Sequence, residues 1–164
     1  MKKIHFISTG GTFNKQYDED SGSIAIDKEA RTLQEIAQKW RTDFEIQTLI
    51  GKDSLDMTDQ DREALLAAVS ASAAQDIIII HGTDTMDQSA KVLAKAQLPK
   101  RIILTGAMIP YRVDQVEATA NVAMAYGYLQ AESTPGVYIS MNGVIGSYET
   151  IIKNRATKRF ESAQ

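Results

Sequence analysis

The sequence predicts an α/β domain: a three-layer, doubly wound, mostly parallel sheet with helices on both faces. Three observations carry this. Short apolar runs alternate with amphipathic stretches, as strands alternate with the helices that cross between them. Ile77-Ile78-Ile79-Ile80 sets four β-branched residues in a row, the pattern of a strand buried on both faces at the centre of such a sheet. At 164 residues the chain is long enough to bury one core without metal or disulfide support.

Taken in order, Ile4-His5-Phe6-Ile7 reads as the first strand and ends at Thr9-Gly10-Gly11-Thr12. Leu33, Ile36, Ala37 and Trp40 recur at helical spacing, which predicts a helix over 32–40. Residues 44–50 form a second strand. Thr58, followed by Asp61 and then Glu63, Leu65, Leu66 and Val69, supplies the hydroxyl cap and early acidic residues of a helix start, here over 60–73. After the isoleucine run come a helix over 88–96, a strand at Ile102-Ile103-Leu104, an alanine-rich helix over 117–129 and a strand over 137–141. Asn142-Gly143 is a turn signal before a short extended piece and residues 148–153. No repeat, low-complexity tract or linker intervenes, so residues 1–164 read as one domain.

With 43% apolar and 24% charged residues, the chain has the composition of an ordinary globular protein. It contains no cysteine, which excludes disulfides and thiolate metal sites and fits a reducing, cytoplasmic setting. The first eight residues hold too short an apolar run for a secretory signal, and no stretch reaches the roughly 20 apolar residues that cross a bilayer. A net charge of −3 points away from nucleic acid as a partner. The basic cluster Lys153, Arg155, Lys158 and Arg159 reads as a solvated segment.

In sheets of this kind ligands bind outside the carboxyl ends of the strands. Those ends are followed here by Ser8-Thr9-Gly10-Gly11-Thr12, Asp53-Ser54-Leu55-Asp56, Gly82-Thr83-Asp84-Thr85 and Gly106-Ala107-Met108. Small, hydroxyl and carboxylate residues therefore converge on one edge. A threonine after two glycines has its hydroxyl uncovered, but it needs a base to become a nucleophile. His5, inside a strand, and His81, next to Gly82, both read as structural, so a Ser-His-Asp triad is not supported. The remaining route is an amine base, with Lys153 after Ile151-Ile152 the candidate. The Thr9–Thr12 loop is neither GxGxxG nor a lysine-bearing phosphate loop, and no HExxH, CxxC or calcium-loop spacing occurs, so neither cofactor nor metal is expected. The pattern supports a crevice of hydroxyls and carboxylates and names no reaction.

In order and spacing, Thr9-Gly10-Gly11-Thr12, Asp53-Ser54-Leu55-Asp56-Met57, His81-Gly82-Thr83-Asp84-Thr85-Met86, Gly106-Ala107-Met108 with Pro110, and Lys153-Asn154-Arg155 resemble the L-asparaginase family, across essentially the whole chain. The resemblance implies that family's amino-terminal, flavodoxin-like domain and an amidohydrolase that splits the side-chain amide of L-asparagine, or glutamine, through a threonine acyl-enzyme. It assigns Thr12 as nucleophile and Thr83, Asp84 and Lys153 as the second group. Tyr17 would assist Thr12 from a loop. Ser54 would hold the substrate carboxylate and Asp84 its ammonium, in a pocket lined also by Gly11, Leu55, Ala107 and Met108. Backbone N–H groups near Thr12 and Thr83 would form the oxyanion hole.

The family's smaller carboxyl-terminal domain is not represented in 1–164. Ile109 stands where the family often has arginine, and Leu55 where many members carry a polar residue. The alternative expectation is a non-catalytic amino-acid-binding or regulatory module. The expected partners are a small amino-acid substrate and a second copy in a homodimer.

Overall fold

The computed structural model describes residues 2–131 and 134–163. Its main sheet has six strands: β1 (Ile4–Gly10), β4 (Glu45–Lys52), β5 (Asp76–Ile80), β6 (Arg101–Thr105), β7 (Gly136–Met141) and β8 (Val144–Ser147). Their spatial order is β4-β1-β5-β6-β7-β8, with the first five parallel and β8 antiparallel to β7. Counting only the parallel strands, this is the 2-1-3-4-5 order of flavodoxin-like sheets, whose direction of winding reverses between β1 and β5.

The isoleucine run shows why three layers form. Side chains alternate across a strand, so Ile78 and Ile80 pack with Phe6, Leu33, Val122 and Leu129 on one face. Ile77 and Ile79 pack with Leu65, Val69, Leu93 and Ile139 on the other. The first face is covered by α1 (Arg31–Trp40) and α4 (Gln115–Ala131), the second by α2 (Asp59–Ala71) and α3 (Met86–Lys95). Each fully buried isoleucine contributes about 1.5–3 kcal/mol relative to exposure. The start of α2 is the capping box its sequence announces: Thr58 Oγ1 accepts from Asp61 N, and Asp61 Oδ2 accepts from Thr58 N.

Asn142 and Gly143 both take positive φ, 51° and 85°, in the two-residue turn joining β7 to β8. Two hairpins were not legible as strands. The first pairs β2 (Lys15–Asp18) with β3 (Ser23–Ile26); the second pairs β9 (Ile151–Asn154) with β10 (Arg159–Ser162). Both stand apart from the main sheet. Ile151 and Phe160 tie the second to the α2–α3 face of the core, which fixes where Lys153 points.

Candidate active site

The site is built at the switch between β1 and β5. Gly10 and Gly11 take φ of 108° and 77°, conformations that residues with a Cβ rarely adopt. A Cβ on Gly11 would lie 2.5 Å from the backbone nitrogen of Gly82, so the loops after β1 and β5 touch main chain to main chain. Asn14 pins the first loop by donating from Nδ2 to the Gly10 carbonyl (2.9 Å) and to Ser8 Oγ (3.2 Å). The residues after these abutting glycines are Thr12 and Thr83, both half-buried.

The third component arrives from the other end of the chain. Ile151 and Lys153 share one face of β9, and burial of Ile151 turns that face inward while Ile152 is left exposed. Lys153 Nζ donates to Thr83 Oγ1 at 2.8 Å and to Asp84 Oδ1 at 2.8 Å. Arg155 Nη1 donates to the same Asp84 Oδ1 at 2.8 Å, and its Nη2 to the Asp84 carbonyl at 3.1 Å. These two cations hold the Asp84 carboxyl below the usual carboxylate range against the opposing effect of burial. Lys15 does the same for Asp53 through a 2.9 Å bond. A cavity of about 470 Å³ opens beside Lys153, lined among others by Thr83, Asp84, Asp87, Lys91, Tyr148 and Arg155. Thr12 and Ser54 are not among its lining residues.

Residues 3–164 match the family described as asparaginase, N-terminal. The chain belongs to the asparaginase family. Among solved structures it is similar to the thermostable L-asparaginase from Thermococcus kodakarensis, with TM-score 0.85 and 25% identity over 98% of this chain and 51% of that one. It also shares its fold with a probable cytoplasmic L-asparaginase from Campylobacter jejuni, at TM-score 0.76 and 24% identity over 99% of this chain and 53% of the other. Among curated proteins it is 28% identical to a glutamyl-tRNA(Gln) amidotransferase subunit of Methanococcus maripaludis, over 89% of this chain and 36% of that protein. It is 25% identical to a probable periplasmic L-asparaginase of Haemophilus influenzae, over 96% of this chain and 48% of that protein. The chain thus spans about a third to a half of the length of these relatives.

The structure brings Thr83, Asp84 and Lys153 together, and the Gly11–Gly82 contact joins their loop to the one that carries Thr12. It does not bring Tyr17 to this group. Tyr17 lies opposite Ile24 in the β2–β3 hairpin with 63% of its surface exposed. Among the described residues the hairpin pairs only with itself, and the ring is left largely in solvent. Ser54 is buried beneath the second loop, where its Oγ accepts from the N–H groups of Asp84 (3.2 Å) and Thr85 (3.3 Å). Those two N–H groups are therefore engaged with Ser54, and of the backbone donors near Thr83 they are not free to face a ligand. Leu55 is exposed at the rim, Ala107 is buried and Met108 half-buried.

Both histidines are structural, as their positions suggest. His5 Nδ1 bonds Ser72 Oγ at 2.8 Å. His81 is fully buried between the Gly82 carbonyl and Ser89 Oγ, each 2.7 Å away, and burial pushes its pKa down to about 4.

Sequence reasoning missed the struts. Arg62 is buried and donates to the Met57 carbonyl and to Thr85 Oγ1 (3.2 and 3.0 Å), while Thr85 donates to the Ser54 carbonyl. The signal for it was a cation on the buried stripe Arg62, Leu65, Val69. Glu117 accepts from the N–H groups of Met108 and Ile109 at 2.8 and 2.9 Å, closing the loop after β6. Asn121 then links the Gly106 carbonyl to the N–H of Asn142. Nothing in the sequence pattern distinguishes Glu117 from a solvated helix acid.

Proposed function

We propose that this domain is the nucleophile-bearing part of an L-asparaginase-type amidohydrolase, cleaving the side-chain amide of L-asparagine or a closely similar amide. The observation that carries the reading is Lys153 Nζ bonded at once to Thr83 Oγ1 and Asp84 Oδ1, beside a second threonine on a glycine-opened loop. Thr12 Oγ1 attacks the amide carbon, the C–N bond breaks, and the hydroxyl proton leaves with the nitrogen as ammonia. Water then adds to the acyl-threonine, and its C–O bond to Thr12 breaks to release the acid. Lys153 and Asp84 orient and polarise the Thr83 hydroxyl, or a water held by it. Both lone-pair directions of Ser54 Oγ are filled by backbone N–H groups, which leaves its O–H to donate to a substrate carboxylate. Gly11, Leu55, Ala107 and Met108 border the pocket in this reading. Tyr17 takes part only if the β2–β3 hairpin folds over Thr12.

The test is ammonia release from L-asparagine and L-glutamine by the purified chain, set against Thr12→Ala and Lys153→Ala. Release by the parent and loss in both variants is the expected result. A second reading, a binding module or a part that works only with further protein, is favoured by the span of the matches. The chain covers 36% of a relative named as part of an amidotransferase. It predicts that L-aspartate raises the melting temperature with no ammonia released. Val113 and Val116, exposed where α4 begins, support a homodimer; sedimentation showing only an 18.1 kDa species at micromolar concentration would remove it.

A further inference from the structure

Beside Lys153 and Asp84, the site carries a third charge that the reaction above does not use. Arg155 lies in the turn after β9, where Asn154 Oδ1 accepts from the N–H groups of Ala156 (3.0 Å) and Thr157 (3.2 Å). Asn154 Nδ2 is tied in turn to Glu161 at 2.7 Å across the hairpin. The turn is thereby held in a shape that lays the guanidinium against Asp84, with two bonds to that residue and with 66% of the side chain still in solvent. Asp84 Oδ1 thus carries two cations before any ligand arrives.

Three further carboxylates around the strand ends are committed as well. Asp53 is bound to Lys15, Asp61 to Lys52, and Glu117 to two backbone N–H groups. An ammonium placed on Asp84 would be the third cation on one carboxylate, with like charges within a few ångströms of one another. Removing the ammonium from the ligand removes that repulsion. A ligand carboxylate gains instead, because a guanidinium has five N–H donors and only two of the Arg155 nitrogens are engaged with Asp84.

We infer that Arg155 is a specificity-determining residue that biases this site against a free α-ammonium, so that its preferred substrates are short monoamides of dicarboxylic acids lacking that group. The inference rests on the amidohydrolase reading of the same site and narrows it. Asp87 and Glu149 line the neighbouring cavity, but the hydrogen bonds and ion pair of Arg155 go to Asp84.

The probes are two acids that differ only in the ammonium, succinate and L-aspartate, titrated calorimetrically, with hydrolysis of succinamate and L-asparagine measured alongside. The parent should bind succinate at least as tightly as L-aspartate. Arg155→Gln should move the affinity ratio toward L-aspartate by about fivefold, the size expected for an exposed charge pair. Arg155→Lys, which keeps the charge, should stay near the parent ratio. A merely structural role for Arg155 would weaken both acids equally and leave the ratio unchanged, and that result overturns the inference while leaving the amidohydrolase reading intact. A parent that binds L-aspartate well and succinate poorly also overturns it. Failure of both acids to bind at millimolar concentration overturns the inference and the reading together.

Discussion

The two ends of the parallel sheet use the same kinds of residue to opposite effect. At the amino edge, Asp76 and Arg101 are direct cross-strand neighbours on β5 and β6 and form a buried ion pair. Next to them Lys100 Nζ donates to the carbonyls of Ser72 and Ala74 at 2.6 and 2.8 Å, and His5 is bonded to Ser72. At the carboxyl edge Lys153, Asp84 and Arg155 also form a charged cluster, but it is only partly buried and rests against a hydroxyl on a glycine-opened loop. The amino-edge charges are taken up by one another and by backbone. Those of the carboxyl edge keep an exposed side and a hydroxyl neighbour. A buried charge cluster is therefore no mark of a functional site by itself; burial without access marks a strut.

This contrast can be broken by mutation, most severely at the carboxyl edge. Thr83→Ala should lower ammonia release by about 10³-fold or more while the melting temperature moves by less than about 3 °C. A large fall in melting temperature would mean that Thr83 belongs to the scaffold. Arg101→Met should do the reverse. Stranding the buried Asp76 carboxylate should remove about 3–5 kcal/mol of stability in urea unfolding, with ligand affinity of the folded protein unchanged. A loss below about 1 kcal/mol would show that the amino-edge pair is not the strut described.

His81 sharpens the comparison through pH. Its folded pKa of about 4 lies below the unfolded value of 6.5, so between those limits the unfolded chain binds a proton that the folded chain refuses. Its contribution is complete above pH 6.5 and is lost as pH falls toward 4, by about 3 kcal/mol in all. The depressed carboxyls Asp84 and Asp53 act in a lower window. Their contribution is present above the ordinary carboxylate value of 3.8 and disappears as pH falls through their lower folded values. Thermal melts from pH 7.5 to 4 should therefore slope downward in the parent and flatten in His81→Gln; an equal slope in both would assign the loss to other groups. The smallest effect is expected at Glu117→Gln, where two N–H groups lose a charged acceptor. Stability should drop by about 1–2 kcal/mol, and hydrogen exchange should rise at Met108 and Ile109 but not at Thr83.

Much of this is legible in the sequence itself. The isoleucine run sits in the middle of the sheet and divides its side chains between the two faces, because alternation is a local property of any strand. The Thr58–Asp61 cap and the Asn142-Gly143 turn formed as read for the same reason: their hydrogen bonds and dihedrals are settled within a few neighbouring residues. The glycine loops and the order of the motifs likewise placed Thr12, Ser54 and Thr83 at one edge.

The two hairpins escaped because neither is buried on a whole face, so neither carries a clean alternation. With the β2–β3 hairpin went the position of Tyr17, whose exposure depends on what packs over it. Only the tertiary structure set Lys153 on Thr83 across 70 positions of sequence, turned Ser54 inward as a brace, and laid Arg155 on Asp84. The physical reason is common to all three. Sequence spacing fixes which face of its own element a side chain takes, but the charge, hydroxyl or amide it meets there comes from another element. For Lys153 and Arg155 that meeting is decided by how Ile151 and Phe160 seat a ribbon on the core, and for Ser54 by the loop after β5 that packs over it; no local pattern encodes either.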